Sequence, residues 1–393
     1  MQTITEPRFP FFSAGFRPFF LLAGLWSALA LAAWVATLTT GRSLPGLFPP
    51  LLWHIHEMLF GFVGAALAGF LLTAAPNWTG RAPVRGLPLV LLTLSWIGGR
   101  AAVLMPAILP AWAVMAIDVS FFAALVAVMA CQIALSRNWK NLPMVAPVTL
   151  FGAADGLMYL GQMTPSVSPD LGWRLGLAAI VILISAIGGR VIPTFTRNWL
   201  TARGVGQAPA ASGWIDRIAM ATLHPALLGW AFSLPAAPIG ILLLAAAAAN
   251  FVRLARWKGL ATRAEPLLAI LHLGYFWLVA GAALLGANLL TIRIPEAAAV
   301  HAFTTGAIGT MTLAIMTRAT LGHTGRPLRA DRPTTLIYLL VTAAALLRVA
   351  ASLAPSLAQP LFAGSGTLWL AGFTLFAARY GAMLCRPRLK TSG

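Results

Sequence analysis

The stretch Trp53-His54-Ile55-His56-Glu57-Met58-Leu59-Phe60-Gly61-Phe62-Val63-Gly64-Ala65-Ala66-Leu67-Ala68-Gly69-Phe70-Leu71-Leu72-Thr73-Ala74-Ala75 decides the fold. From Met58 to Ala75 it carries no charge and shows no alternation of apolar and polar residues. Crossing a hydrocarbon core takes roughly 20 apolar residues in a helix. Inside a bilayer only helices and closed barrels satisfy every backbone N–H and C=O, and a barrel strand alternates. The stretch therefore reads as a membrane-spanning helix with two histidines and a glutamate at its start.

The same reading extends along the chain. About twelve such segments fall at 18–40, 52–75, 87–107, 111–135, 143–163, 173–196, 214–234, 237–255, 266–290, 297–317, 334–354 and 359–384. Pro and Gly gather at the junctions, as at Pro49-Pro50, Pro165, Pro235 and Pro355. Of the 393 residues 59% are hydrophobic and 9% charged, and mean hydropathy is +0.84. A soluble domain carries about 25% charged residues, so this chain cannot cover a water-facing surface. Whole-chain disorder, a disulfide-rich secreted fold and a nucleic-acid-binding globule are excluded. The expected fold is an all-α integral membrane protein of about twelve transmembrane helices, in one polytopic domain over 1–393. The first apolar run is of full spanning length with no cleavage site after a short core, unlike a signal peptide. Cys131 and Cys385 lie far apart and make no disulfide framework.

Net charge is +18, from 27 Lys and Arg against 9 Asp and Glu. With the N-terminus inside, 21 of the basic residues, from Arg8 to Lys390, fall in inner segments. Only Arg42, Arg174 and Arg293 fall at outer ends, and Arg100, Arg190 and Arg348 lie within helices. The positive-inside rule then predicts N-in and C-in, and the +18 needs no nucleic acid.

A repeat runs through the pattern. A shift of 245 residues lays the second segment on the tenth without a gap: His56 on His301, Gly61 on Gly306, Gly64 on Gly309, and Thr79-Gly80-Arg81 on Thr324-Gly325-Arg326. The first segment follows at 246, where Leu21-Leu22-Ala23 meets Leu267-Leu268-Ala269, and Arg100 meets Arg348 at 248. A middle copy is weak and carries no equivalent histidine. The spacing suggests a three-by-four pseudo-repeat like that of the haem-copper oxidase catalytic subunit, with sub-repeats near 1–140, 141–258 and 259–393. Secondary transporters more often divide two by six.

Ionisable residues inside a membrane are functional candidates by default. Six histidines are present, at 54, 56, 224, 272, 301 and 323. His56 and His301 open their segments at matching depth, which is what a bis-histidine haem needs; hydrogen-bonded interface residues are the plainer alternative. His54 and His56 point about 200° apart on a helix, so one metal cannot easily take both. Glu57 and Met58 follow His54 by three and four residues, and that face suits copper or simple packing. Glu57 also suits orientation of a ligand imidazole. His224, before Pro225, and His272 are candidate ligands or core residues, and His323 reads as a loop or capping residue. Arg100 and Arg348 match haem propionates, or a pair with Asp118, or snorkelling. For Arg190 the expected partner is Asp155. No nucleotide loop, CxxC pair, HExxH or nucleophile elbow is present.

Four stretches together resemble the NnrS family of haem- and copper-containing membrane proteins of the nitric oxide response. They are Phe16-Arg17-Pro18-Phe19-Phe20; Trp53 to Gly61 with Gly69-Phe70-Leu71-Leu72-Thr73-Ala74 and Asn77-Trp78-Thr79-Gly80; Gly189-Arg190-Val191-Ile192-Pro193-Thr194-Phe195-Thr196-Arg197-Asn198-Trp199; and His301-Ala302-Phe303 with Met316 to Arg326. The resemblance implies haem and copper cofactors, a bacterial inner membrane, and tolerance of nitric oxide during denitrification or host attack. The ligand assignments come from the repeat, not from the family. Three functions stay open: a haem–copper protein that binds, senses or handles nitric oxide and protects cellular iron; a nitric oxide reductase-like oxidoreductase fed by a quinol or cytochrome; and a transporter of a metal, haem or small anion. Against the second, the sixth segment has no histidine and the seventh only His224.

Overall fold

The computed structural model describes residues 10–389 apart from 43, 106, 107, 205, 207 and 292. Arg8 and Lys390 of the charge pattern lie outside the described residues. A helix falls on each of the twelve segments: α1 Phe16–Thr40, α2 Pro50–Thr79, α3 Leu87–Val103, α4 Ala111–Ser136, α5 Val145–Met163, α6 Leu171–Thr201, α7 Trp214–Ala231, α8 Ala236–Ala255, α9 Pro266–Leu290, α10 Glu296–His323, α11 Arg332–Leu353 and α12 Ala358–Cys385. No strand occurs among the described residues. Among the described residues ten candidate spans are long and apolar enough to cross a bilayer. The exceptions are α3, a shorter apolar helix, and α7, which carries Asp216, Arg217 and His224 within its 18 residues. The protein is a multipass all-α membrane protein.

Helix boundaries follow local chemistry. Proline stands in the first turn of α2, α3, α9 and α11, where a missing N–H leaves nothing unsatisfied. Glu265 caps α9 by accepting from the Leu267 N–H (3.2 Å), and Asp331 caps α11 by accepting from the Thr334 N–H (2.9 Å). α1 and α2 end on Gly41 and Gly80, both in the left-handed region that favours glycine.

The chain forms two compact units. The first holds Met1–Gly176, Ile315–Leu328 and Phe373–Gly393; the second holds Leu177–Ala314 and Arg329–Gly372. In the first, α2 packs on α1, α3 on α4, and α4 on α5. In the second, α8 packs on both α7 and α9. Side-chain size sets the spacing. Gly69 of α2 lies against α1, where an added Cβ would sit 2.6 Å from the Phe20 ring.

Two helices share an irregularity. α2 winds as a π-helix over Glu57–Val63, and α10 does so over Ala302–Ile308. The two wide turns are related by the same 245-residue shift that relates their sequences. Each begins immediately after the histidine, at His56 or His301, and ends just before a glycine, Gly64 or Gly309.

Phe20 has no exposed surface into which to move. Gly69→Ala should therefore destabilise the protein by about 1–3 kcal/mol, as overpacking does. Comparing the thermal unfolding of wild type and variant in one detergent checks this; an unchanged midpoint would refute the tight α1–α2 contact.

Candidate functional site

The α2 sequence puts His56 and Glu57 where the helix changes from α to π winding. A π turn carries an extra residue, displaces side chains from α-helical register and is frequent at functional sites. Here Glu57 reaches its neighbour, His56. Its Oε1 lies 2.9 Å from His56 Nδ1. The widened turn also offers the Gly61 carbonyl to the Trp96 indole N–H (3.1 Å) from α3.

Four helices converge on this pair within the first unit. Arg100 of α3 donates from Nη1 to Glu57 Oε2 (2.8 Å) and from Nη2 to Asp118 Oδ1 of α4. The Trp26 indole of α1 donates to the same Glu57 Oε2 (2.8 Å). Asp118 Oδ2 accepts from the Tyr159 hydroxyl of α5 (2.8 Å) and lies 3.1 Å from His56 Nε2. Asp155 Oδ1, also on α5, lies 2.8 Å from the same Nε2. His56 and Asp155 have no exposed surface, Glu57 and Asp118 have 1%, and Arg100 has 4%. Phe48, Phe60 and Tyr159 surround the imidazole at ring distances of 4.7, 5.6 and 5.4 Å.

Such a cluster is held together by the cost of its own parts. An unpaired buried charge costs several kcal/mol, and removing one partner of a buried pair costs roughly 3–5 kcal/mol. Arg100 answers two of the three carboxylates. Among the described residues Asp155 has only His56, and its Oδ2 has no hydrogen-bond partner. His56, Asp118 and Asp155 each offer a ligand atom, all within 4.8 Å of one another, so together they can hold a metal ion. They do not fit a haem at His56. Both imidazole nitrogens are engaged, and an iron bond at Nε2 would have to displace Asp118 and Asp155.

The other expected residues lie elsewhere. The half-buried His54 stacks on Trp34 at 4.8 Å, and Met58 is half-buried. Arg100 meets Glu57 and Asp118, the protein's own carboxylates. Asp155 pairs with His56 and not with Arg190, which is exposed; this corrects the expected pair. In the second unit His301 Nδ1 lies 2.7 Å from the Ala297 carbonyl. Arg348 donates to Ser352 Oγ (2.9 Å) and lies 4.4 Å from the Phe362 ring centre. The Nε2 of the buried His272 meets Thr196 Oγ1 at 2.9 Å, and His224 Nε2 has no hydrogen-bond partner.

Sequence reasoning cast Asp118 and Asp155 only as partners for arginine and passed over Tyr159, Trp26 and Trp96. The available signal was scarcity: only nine acidic residues occur in the chain, and these two sit inside apolar helices. A second polar cluster was also missed, with Arg253 counted among the inner charges. Its Nε donates to Asp216 (2.8 Å) and its Nη1 to the Tyr275 hydroxyl (2.8 Å), which in turn donates to Asn250 Oδ1 (2.6 Å). Its groups satisfy one another and join α7, α8 and α9.

Adjacent glycines on α3 separate the site from its surroundings. A Cβ at Gly98 would touch only Ile117, at 3.8 Å, whereas one at Gly99 would collide with the Asp118 carboxylate. Gly98→Ala should stay within about 1 kcal/mol of wild type, leaning toward stabilisation. Gly99→Ala should lose stability by about 1–3 kcal/mol through overpacking. Parallel unfolding curves check this, and equal behaviour of the two variants would refute the placement of Asp118.

The chain matches the family described as NnrS protein over residues 10–388. No curated protein matches the chain. The match takes in every helix and all the residues of the buried cluster. The chain belongs to the NnrS family and is a multipass membrane protein related to the nitric oxide response.

Proposed function

We propose that the protein is a haem- and copper-binding protein of the bacterial inner membrane that binds nitric oxide and limits its damage to cellular iron. The observation that carries this reading is the buried cluster of His56, Asp118 and Asp155, a metal-competent site inside the apolar helices of an NnrS-family chain. Nitric oxide is small and uncharged and partitions into hydrocarbon, so a metal reached through the bilayer is well placed to meet it. Bound copper or haem iron would supply a vacant coordination position for the diatomic.

The chain's own residues divide the work. In the first unit Glu57 orients the His56 imidazole, Arg100 holds Glu57 and Asp118, and Tyr159 fixes the second Asp118 oxygen. The aromatic wall of Phe48 and Phe60 keeps water from the imidazole. Haem is assigned to His301. A hydrogen bond from its Nδ1–H to the Ala297 carbonyl makes Nε2 the basic nitrogen, as in metal-binding histidines. Arg348, which has no carboxylate partner among the described residues, is the candidate for a propionate.

Optical spectra and metal analysis of the purified protein, with and without nitric oxide, test this reading. His301→Ala should lose the haem absorbance and keep copper; His56→Ala should keep haem and lose copper. Nitric oxide should shift the spectrum of the wild type without sustained turnover. A colourless, metal-free wild type that still moves solute in liposomes would overturn the proposal in favour of a transporter. Continuous nitric oxide consumption with an artificial electron donor would overturn it in favour of a reductase.

A further inference from the structure

We infer that the His56 cluster is a site for a divalent cation bound by one imidazole nitrogen and carboxylate oxygens, and that it rejects a cuprous ion. The inference rests on the copper half of the proposed function, which it deepens, and needs none of the nitric oxide half.

The hydrogen-bond pattern calls for positive charge at the centre. Glu57, held by Arg100 and Trp26, faces His56 Nδ1 at 2.9 Å and so places the ring proton there. In the neutral ring Nε2 then presents a lone pair. Facing it at 2.8 and 3.1 Å are Asp155 Oδ1 and Asp118 Oδ2, which are acceptors too. Three acceptors converging in an apolar interior repel unless a positive charge lies among them. The spacing suits a metal, since ligand bonds of about 2.0–2.2 Å place neighbouring donor atoms roughly 3 Å apart. A carboxylate bonded to the remote imidazole nitrogen is the usual support for a metal-bound histidine.

Charge selects the valence. Glu57, Asp118 and Asp155 contribute three negative charges and Arg100 one positive, so a divalent ion on a neutral imidazole brings the cluster to zero. A monovalent ion leaves one uncompensated negative charge where charge is most costly. The donor atoms agree. Cuprous ions favour thiolate and thioether sulfur, whereas nitrogen and oxygen donors suit cupric and other divalent ions. Cys131 and Cys385 are exposed and absent from the cluster. Asp155 Oδ2, fully buried and without a hydrogen-bond partner, is the oxygen left over for a further metal bond.

The full chain, purified in detergent and stripped with a chelator, is titrated with Cu²⁺ and, under reducing anaerobic conditions, with Cu⁺. One Cu²⁺ per chain is expected at the cluster, with a paramagnetic resonance spectrum split by a single imidazole nitrogen. Bound Cu⁺ should be at least tenfold weaker. His56→Ala and Asp155→Asn should each weaken Cu²⁺ at least tenfold, and Glu57→Gln should weaken it about 10–100-fold as loss of an orienting partner does. His54→Ala should bind as wild type. The wild-type spectrum needs no variant to fold. Failure to bind Cu²⁺, splitting by two nitrogens, preference for Cu⁺, or unchanged binding in both His56→Ala and Asp155→Asn would overturn the inference. An imidazolium alone at the centre would give the first of these results. None of these measurements uses nitric oxide or haem, so a failure here removes copper from the cluster and leaves the haem and nitric oxide tests to be judged separately.

Discussion

The Arg100 guanidinium, held between Glu57 and Asp118 inside apolar helices, is the interaction on which the first unit's site depends. A lone arginine, or a lone carboxylate, at that position would be prohibitive. Joined, they tolerate burial and connect α2, α3 and α4 at one level. The connection also fixes the imidazole, because Glu57 is shared between Arg100 and His56. Gly99 makes the approach possible by leaving room for the Asp118 carboxylate. Charge, helix spacing and ring orientation are thus one constraint met by a few side chains.

The two copies of the sequence pattern share a backbone and differ in chemistry. Both copies keep the histidine, the π turn after it and the glycines at Gly61/Gly306 and Gly64/Gly309. They differ at the residue after the histidine: Glu57 in one, Ala302 in the other. Glu57 draws Arg100 into a buried ion pair. Arg348, the counterpart of Arg100, has no carboxylate partner among the described residues and bonds Ser352 beside the Phe362 ring. The backbone irregularity is thus common to both copies, whereas the acid is not. A π turn rotates neighbouring side chains out of α register, and the residue at that position decides whether an acid enters the site.

Much of the fold was legible because bilayer physics is strict. Long apolar runs have one economical solution, and a helix lies on every expected segment, with boundaries at Pro50, Gly80 and Pro266 set by local backbone rules. Less of the site was legible. His56, Glu57 and Arg100 stand out because polar residues are rare in such helices. Their partnerships did not, because an α-helical wheel sets Glu57 on the His54 side and cannot anticipate seven residues of π winding. Nor does one sequence tell which distant acid meets which cation: Asp155 is as plausible for Arg190 as for His56 until α2 and α5 are seen in contact with the same imidazole.

That misassignment exposes the physical logic of the cluster. Matching charges by sign alone gives Asp155 an arginine and leaves His56 neutral and free for iron. The helices instead bring two carboxylates to one imidazole nitrogen and give Arg100 to the acids that flank it. An arginine at Asp155 would complete the ion pairs and close the site. Its absence leaves the cluster short of positive charge at the point where three acceptors meet. In a bilayer interior such a deficit is not a neutral feature of packing; it is met by a proton on the imidazole or by another cation.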